Sequence, residues 1–156
     1  MIKVCCGSYD DALASERGGA SRIELNSALY LGGLTPSLAS LILTKKNTNL
    51  KVITMVRPRG AGFCYTDEEF ETMLCDTRLM MENGADGIAF GCLTKDGEID
   101  VEQTKQIIDI IQEYNGEVVF HRAFDCVKNA DEAMETLISL HVDRVLTSGL
   151  KAKAMD

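Results

Sequence analysis

Tryptophan is absent and proline occurs only twice, so the chain has no indole anchor and no proline-rich linker. No apolar run approaches the roughly 20 residues that cross a bilayer, which removes the membrane as an expected partner. Basic residues are scarce, with 16 Lys and Arg against 24 Asp and Glu and a formal charge of −8. No basic patch stands out, and phosphate backbones need clustered Lys and Arg, so nucleic acid is not an expected partner. The acidic balance supports solubility without naming a substrate. The six cysteines do not fall at zinc-site or redox CxxC spacings. The opening Met1-Ile2-Lys3-Val4 carries no charged n-region or long apolar h-region. The expectation is a cytoplasmic protein with reduced thiols. Nucleophile elbow, P-loop, dinucleotide fingerprint and zinc-protease motif are missing as well.

What is present is alternation. Short runs rich in Val and Ile (Ile2–Cys5, Arg22–Leu25, Val52–Val56, Gly87–Phe90, Val118–Phe120 and Arg144–Thr147) suit buried parallel strands. Between them lie segments of helical period, such as Phe70, Met73 and Leu74, or Ile107, Ile108 and Ile111. Ser8 with Asp11, Thr66 with Glu69, Asp100 with Gln103 and Asn129 with Glu132 fit capping boxes or close variants. Thr35-Pro36 predicts one more helix start, and Gly18-Gly19, Gly84 and Asn115-Gly116 predict stops. Gly19-Ala20-Ser21-Arg22-Ile23, Gly84-Ala85-Asp86-Gly87-Ile88 and His141-Val142-Asp143-Arg144-Val145 repeat weakly before the second, fourth and sixth strands.

These features predict one α/β domain over residues 1–156, a parallel (β/α) TIM-type barrel with six of the eight β/α units. Alternation alone equally permits an open doubly wound sheet. Six strands leave two edges, so truncation, an irregular closure or cover by another chain, a homo-oligomer included, is expected.

In both architectures the loops after the strands form the site. Glu24 shares a strand face with Arg22 and Asn26, and a carboxylate there needs a partner. It is either half of an ion pair or a general acid/base. His121, Arg122 and Asp125 could place an imidazole, a cation and a carboxylate together, the bland alternative being a hydrogen-bonded histidine under a loop. Arg57 and Arg59 could hold a carboxylate or phosphate, or anchor a loop, or pair with Glu24. Ser148 follows the sixth strand, His141 suits the end of a helix, and Cys75 suits helix packing. Cys5, Cys64, Cys92 and Cys126 fall at or beyond strand ends, where thiolates would suit Cu(I). Cys5 and Cys6 should point to opposite faces and so form no ready chelate.

At these positions the chain resembles the CutC family. The resemblance rests on Val4-Cys5-Cys6-Gly7-Ser8, Gly19-Ala20-Ser21-Arg22-Ile23-Glu24-Leu25, Gly32-Gly33-Leu34-Thr35-Pro36-Ser37 and Arg57-Pro58-Arg59-Gly60. It continues through Phe63-Cys64-Tyr65-Thr66-Asp67-Glu68-Glu69, Phe120-His121-Arg122-Ala123-Phe124-Asp125 and Arg144-Val145-Leu146-Thr147-Ser148-Gly149. It implies an eight-fold β/α barrel, a cytoplasmic location and copper handling, with two more units than this chain has. Some members carry proposed Cu(I)-binding cysteines at the first two strand ends. Here Cys5 matches the first, and Asn26, a poor ligand for Cu(I), occupies the second. Two main readings follow. One is a copper homeostasis protein binding Cu(I) through Cys5, with Cys6 and His121 as weaker candidates. The other is a barrel enzyme in which Arg57, Arg59 and Ser148 bind a small anion. In that enzyme Glu24 or His121 moves a proton, and Asp125 orients the histidine. A shortened scaffold completed by another chain is the third.

Overall fold

The computed structural model describes residues 3–151; Ile2, expected in the first strand, lies outside them. Strands β1 (Lys3–Cys6), β2 (Arg22–Leu25), β3 (Lys51–Met55), β4 (Gly87–Phe90), β5 (Glu117–Phe120) and β6 (Arg144–Val145) form one parallel sheet in sequence order. Helices α1 (Tyr9–Arg17), α2 (Leu38–Asn47), α3 (Asp67–Glu82), α4 (Val101–Glu113) and α5 (Ala130–Ser139) alternate with them. No helix among the described residues is long and apolar enough to cross a membrane.

Each helix starts where a side-chain oxygen can satisfy an orphan N–H. Ser8 accepts from Asp11, Thr66 from Glu69 in a complete capping box, Asp100 from Gln103, and Asn129 from Asp131 and Glu132. The second helix departs from expectation. Its cap is Ser37, accepting from the Ser40 N–H, so Pro36 stands before the helix. Gly84, with φ +92°, follows α3 in the left-handed region that glycine enters freely. The weak repeat has a physical role at two of its copies. Asp86 accepts from the Val52 N–H at 2.7 Å while its own N–H donates to the Val52 carbonyl. Asp143 does the same to Val118 at 2.8 Å.

Strand residues alternate between two environments. Ile23, Leu25, Val52, Ile88, Phe90, Val118 and Phe120 are buried with α-helical residues such as Leu41, Met73, Ile107 and Leu137. Phe90 and Phe120 meet edge to face at 6.0 Å. The opposite face carries a small apolar cluster of Ile53, Met55, Ala89 and Val119, flanked above and below by polar groups. The stripes are not uniformly buried: Ile42 and Ile138 are exposed, and so is Cys75, which therefore does not pack as expected.

The sheet is curled, as side-chain reach shows. A flat sheet would hold β2 and β5 about 14 Å apart. Yet Arg22 on β2 makes two 2.7 Å bonds to the Glu117 carboxylate on β5. Lys51 and Arg144 converge on the same carboxylate. These contacts floor a concave, barrel-like interior. Glu24 is half of an ion pair, as one expectation had it, but its partner is Lys3 at 2.6 Å and not its face neighbour Arg22. The amino-terminal ends of the strands are thus a charged tie across the half-barrel.

Candidate active site at the strand carboxyl ends

Above the apolar layer the concave face opens into a cleft of about 420 Å³, within the range of small-molecule sites. Cys5, Glu24, Arg57, His121 and Asp125 all line it, with Asn26, Met55, Phe63 and Cys126. Parallel strands bring these distant residues together because every chain segment reaches the same rim in the same direction. Leu29 and Leu31 form an apolar wall, carried by a 3-10 turn (Leu29–Leu31) after β2. A larger groove of about 630 Å³ lies between Gly97–Val101 and α5. None of the buried polar atoms left without a partner belongs to its lining.

Glu24 is nearly fully buried, with Lys3 on Oε2 and the Cys5 thiol 4.0 Å from Oε1. Cys5 is deprotonated with difficulty: burial raises its pKa, and the Glu24 charge adds to this more than Lys3 relieves it. Cys6 faces the helices, with Sγ 3.3 Å from Ser15 Oγ, so the two adjacent thiols do take opposite sides.

Arg57 is held from several directions. Its Nη1 donates to the Leu31 and Gly33 carbonyls at 3.0 and 3.2 Å, and its guanidinium stacks 5.0 Å above Phe63. Its backbone N–H donates to Thr35 Oγ1 at 2.9 Å and its carbonyl accepts from the Thr35 N–H, joining the β2–α2 loop to the end of β3. Nε is buried without an acceptor among the described residues. Arg57 makes no bond to Glu24 among the described residues, contrary to one expectation.

His121 is 4% exposed and packs 5.1 Å from Phe63. Its Nδ1 accepts from the Ala123 N–H at 3.1 Å, and Nε2 is buried without a partner among the described residues. Burial, then the Arg57 charge, drives its pKa down to about 3. The ring fits because residue 91 is glycine: a Cβ there would sit 2.7 Å from His121 Cε1 and Nδ1.

Asp125 does not orient His121, which is a correction. Its carboxylate, 6% exposed, receives Arg122 Nε at 2.7 Å, Thr147 Oγ1 at 2.6 Å and the Ser148 N–H at 3.0 Å. Burial opposes ionisation, but these bonds outweigh it and hold the carboxyl well below its usual range. Ser148 is consumed in the same cluster, with its hydroxyl 3.0 Å from Asp125 and 2.6 Å from Arg122. This cluster fixes the loop after β6. Arg59 also departs from the expected anion site: it pairs with Glu69 at 2.8 Å and stacks 5.1 Å from Tyr65. Neither Arg59 nor Ser148 lines the cleft. Of the other thiols, Cys126 reaches the cleft, Cys64 is exposed elsewhere and Cys92 is fully buried. His141 lies just beyond α5, with φ +58°.

A parallel sheet curled around a polar cleft at its carboxyl ends, with helices outside, defines a protein of the β/α-barrel class. Its particular lineage follows from comparison with known proteins. The CutC family model matches residues 1–156, and the chain belongs to that family. It is 52% identical over 155 residues to a CutC family protein of Treponema denticola, covering 99% of this chain and 62% of the relative. It is 46% identical over 156 residues to the copper homeostasis protein cutC homolog of Homo sapiens, covering 100% of this chain and 56% of that one. The chain therefore spans less than two thirds of these curated relatives. The crystal structure of CutC from Streptococcus agalactiae superposes with a TM-score of 0.88 at 30% identity, over 96% of this chain and 73% of that one. An aldolase, QR15, superposes at 0.59 and 16% identity over 99% of this chain and 72% of its own, sharing the fold.

Proposed function

We propose that this chain serves copper homeostasis and that Cu(I) is received in the strand-end cleft. The observation that carries this reading is the family relationship, through relatives named for copper homeostasis at 46% and 45% identity. The cleft's chemistry supports it: the thiols of Cys5 and Cys126 and the thioether of Met55 all line it, and soft sulfur suits Cu(I). Asn26, at the second strand end, contributes no soft donor. No group of three or more His, Cys, Asp and Glu is placed to hold a metal among the described residues. The expected site is therefore of low coordination and sulfur-based, with Cys5 as its principal ligand. Anaerobic Cu(I) titration against a competing chromogenic chelator tests this. Cys5→Ser should weaken binding by at least about tenfold. Equal binding by wild type and Cys5→Ser would sink the assignment.

A second reading is favoured by one specific observation. The same cleft buries unpartnered polar atoms of His121, Arg57 and Asn26 beside the Glu24 carboxylate. Buried polar groups are normally paired, so a site that leaves several open is built for a polar ligand. Under this reading the cleft binds a small anionic metabolite, held by Arg57, with Glu24 as the proton-transfer group. Cytoplasmic location and the pairing of the open sheet edges, β1 and β6, belong to the same set of proposals.

A further inference from the structure

We infer that His121 works as a fixed neutral hydrogen-bond donor, not as a base or metal ligand, and that with Arg57 and Asn26 it selects a small hydroxycarboxylate. The inference rests on the second reading above, that the cleft takes a small anion.

Two hydrogen bonds settle the polarity of the orphaned atoms. The Ala123 N–H can only donate, so His121 Nδ1 must present its lone pair to it at 3.1 Å. A neutral ring then carries its proton on Nε2, the atom left without a partner. Protonating the ring would require a second proton on Nδ1, facing that N–H. Coordination through Nε2 would require that nitrogen to lose its proton while Nδ1 stays occupied. The charged groups around the cleft are Arg57, Arg122, Asp125 and Glu24, the last tied to Lys3. The Arg57 charge also disfavours an imidazolium.

Asn26 is fixed by the same logic. Its Nδ2 donates at 3.1 Å to the Glu24 carbonyl, which can only accept, so the free atom is the amide oxygen. The residues lining the cleft thus carry two unmatched donors, His121 Nε2–H and Arg57 Nε–H, one unmatched acceptor, Asn26 Oδ1, and Glu24 Oε1, whose neighbour is the Cys5 thiol at 4.0 Å. The complementary ligand presents acceptor oxygens to the first pair and a hydroxyl to the second. A carboxylate bearing a neighbouring hydroxyl does both, whereas acetate, which lacks the hydroxyl, matches only the donors. Phe63, Leu29, Leu31 and Met55 supply apolar walls and limit the ligand's size.

The experiment uses the wild-type chain labelled with nitrogen-15 at histidine, where only two residues report. Long-range proton–nitrogen spectra should show His121 as the Nε2–H tautomer throughout roughly pH 5–9. Glycolate should shift its Nε2 signal, and acetate should bind more weakly. His121→Phe should lower glycolate affinity about 10- to 100-fold. An Nδ1–H tautomer, or an imidazolium at neutral pH, overturns the inference while leaving an anion cleft standing. Equal binding of acetate and glycolate overturns the hydroxycarboxylate class. If none of glycolate, lactate, tartrate and phosphate binds wild type, the anion reading and the inference fail together.

Discussion

Replacing Glu117 by Gln should destabilise the protein by about 3 kcal/mol, because it leaves Arg22 charged and buried without its counterion. Arg22 and Glu117 side chains are 4% and 11% exposed and joined by two 2.7 Å bonds. Breaking such a pair from one side costs about 3–5 kcal/mol; the lower end applies because glutamine retains one acceptor oxygen. Lys51 and Arg144 add little, being 45% and 57% exposed, and exposed pairs contribute about 0–1 kcal/mol each. With a urea m-value of about 1–3 kcal/mol/M, the midpoint should fall by about 1–3 M. Urea unfolding followed by far-ultraviolet circular dichroism measures it, and a cycle with Arg22→Met should recover about 2 kcal/mol of coupling. The pH dependence has a definite sign. The bonds from Arg22, reinforced by Lys51 and Arg144, hold the Glu117 carboxyl far below its ordinary value of 4.5 against the opposing effect of burial. A depressed folded-state pKa gives stability that is present above about pH 4.5 and lost as pH falls toward the folded-state value. The gap between wild type and Glu117→Gln should therefore narrow in acid. A loss below about 0.5 kcal/mol at neutral pH, or a gap that widens in acid, would refute the curled-sheet tie.

Gly91→Ala should cost about 1–3 kcal/mol and disturb the His121 ring, since the new methyl would lie 2.7 Å from Cε1, Nδ1 and the Ala123 methyl. An unchanged urea midpoint would show that the ring does not approach this backbone closely. Thiol labelling with a disulfide reagent should modify Cys5, Cys64, Cys75 and Cys126 in the native state, with Cys5 slowest because partial desolvation of its thiol and the Glu24 charge raise its pKa. Cys6 and Cys92 should react only on unfolding, and rapid native modification of Cys92, identified by peptide mapping, would contradict its burial.

Strand and helix alternation was legible because it rests on local physics. Period-two alternation sends Ile23 and Leu25 to the helix-covered core and Glu24 to the cleft, and side-chain caps such as Thr66 mark helix starts. The second helix shows the limit: Pro36 fits a first-turn position, but Ser37 provides the acceptor that closes the turn. The membership of the cleft was also largely visible, since parallel strands deliver Cys5, Glu24, Arg57 and His121 to one rim. Partner choice was not. Arg22 lies two residues from Glu24 yet binds Glu117, because sheet curvature brings β5 nearer than spacing along the chain suggests. Asp125 sits four residues after His121, but the intervening 3-10 turn (Arg122–Cys126) turns it toward Thr147 and Ser148. Arg59 was taken up by Glu69 of the capping box, a double role that no local pattern reveals.

The strand order has a consequence for how the chain is made. Because each strand pairs with the one before it, a ribosome releases every new strand onto a neighbour already in place. Growth can proceed outward from the first hairpin-free pair with short-range closures throughout. The Glu117 carboxylate is the exception: Arg22 waits 95 residues for it, and Lys51 waits for it as well. Until Glu117 emerges, the nascent sheet lacks its internal strut, so curvature is secured late in synthesis, after most of the framework has been laid down.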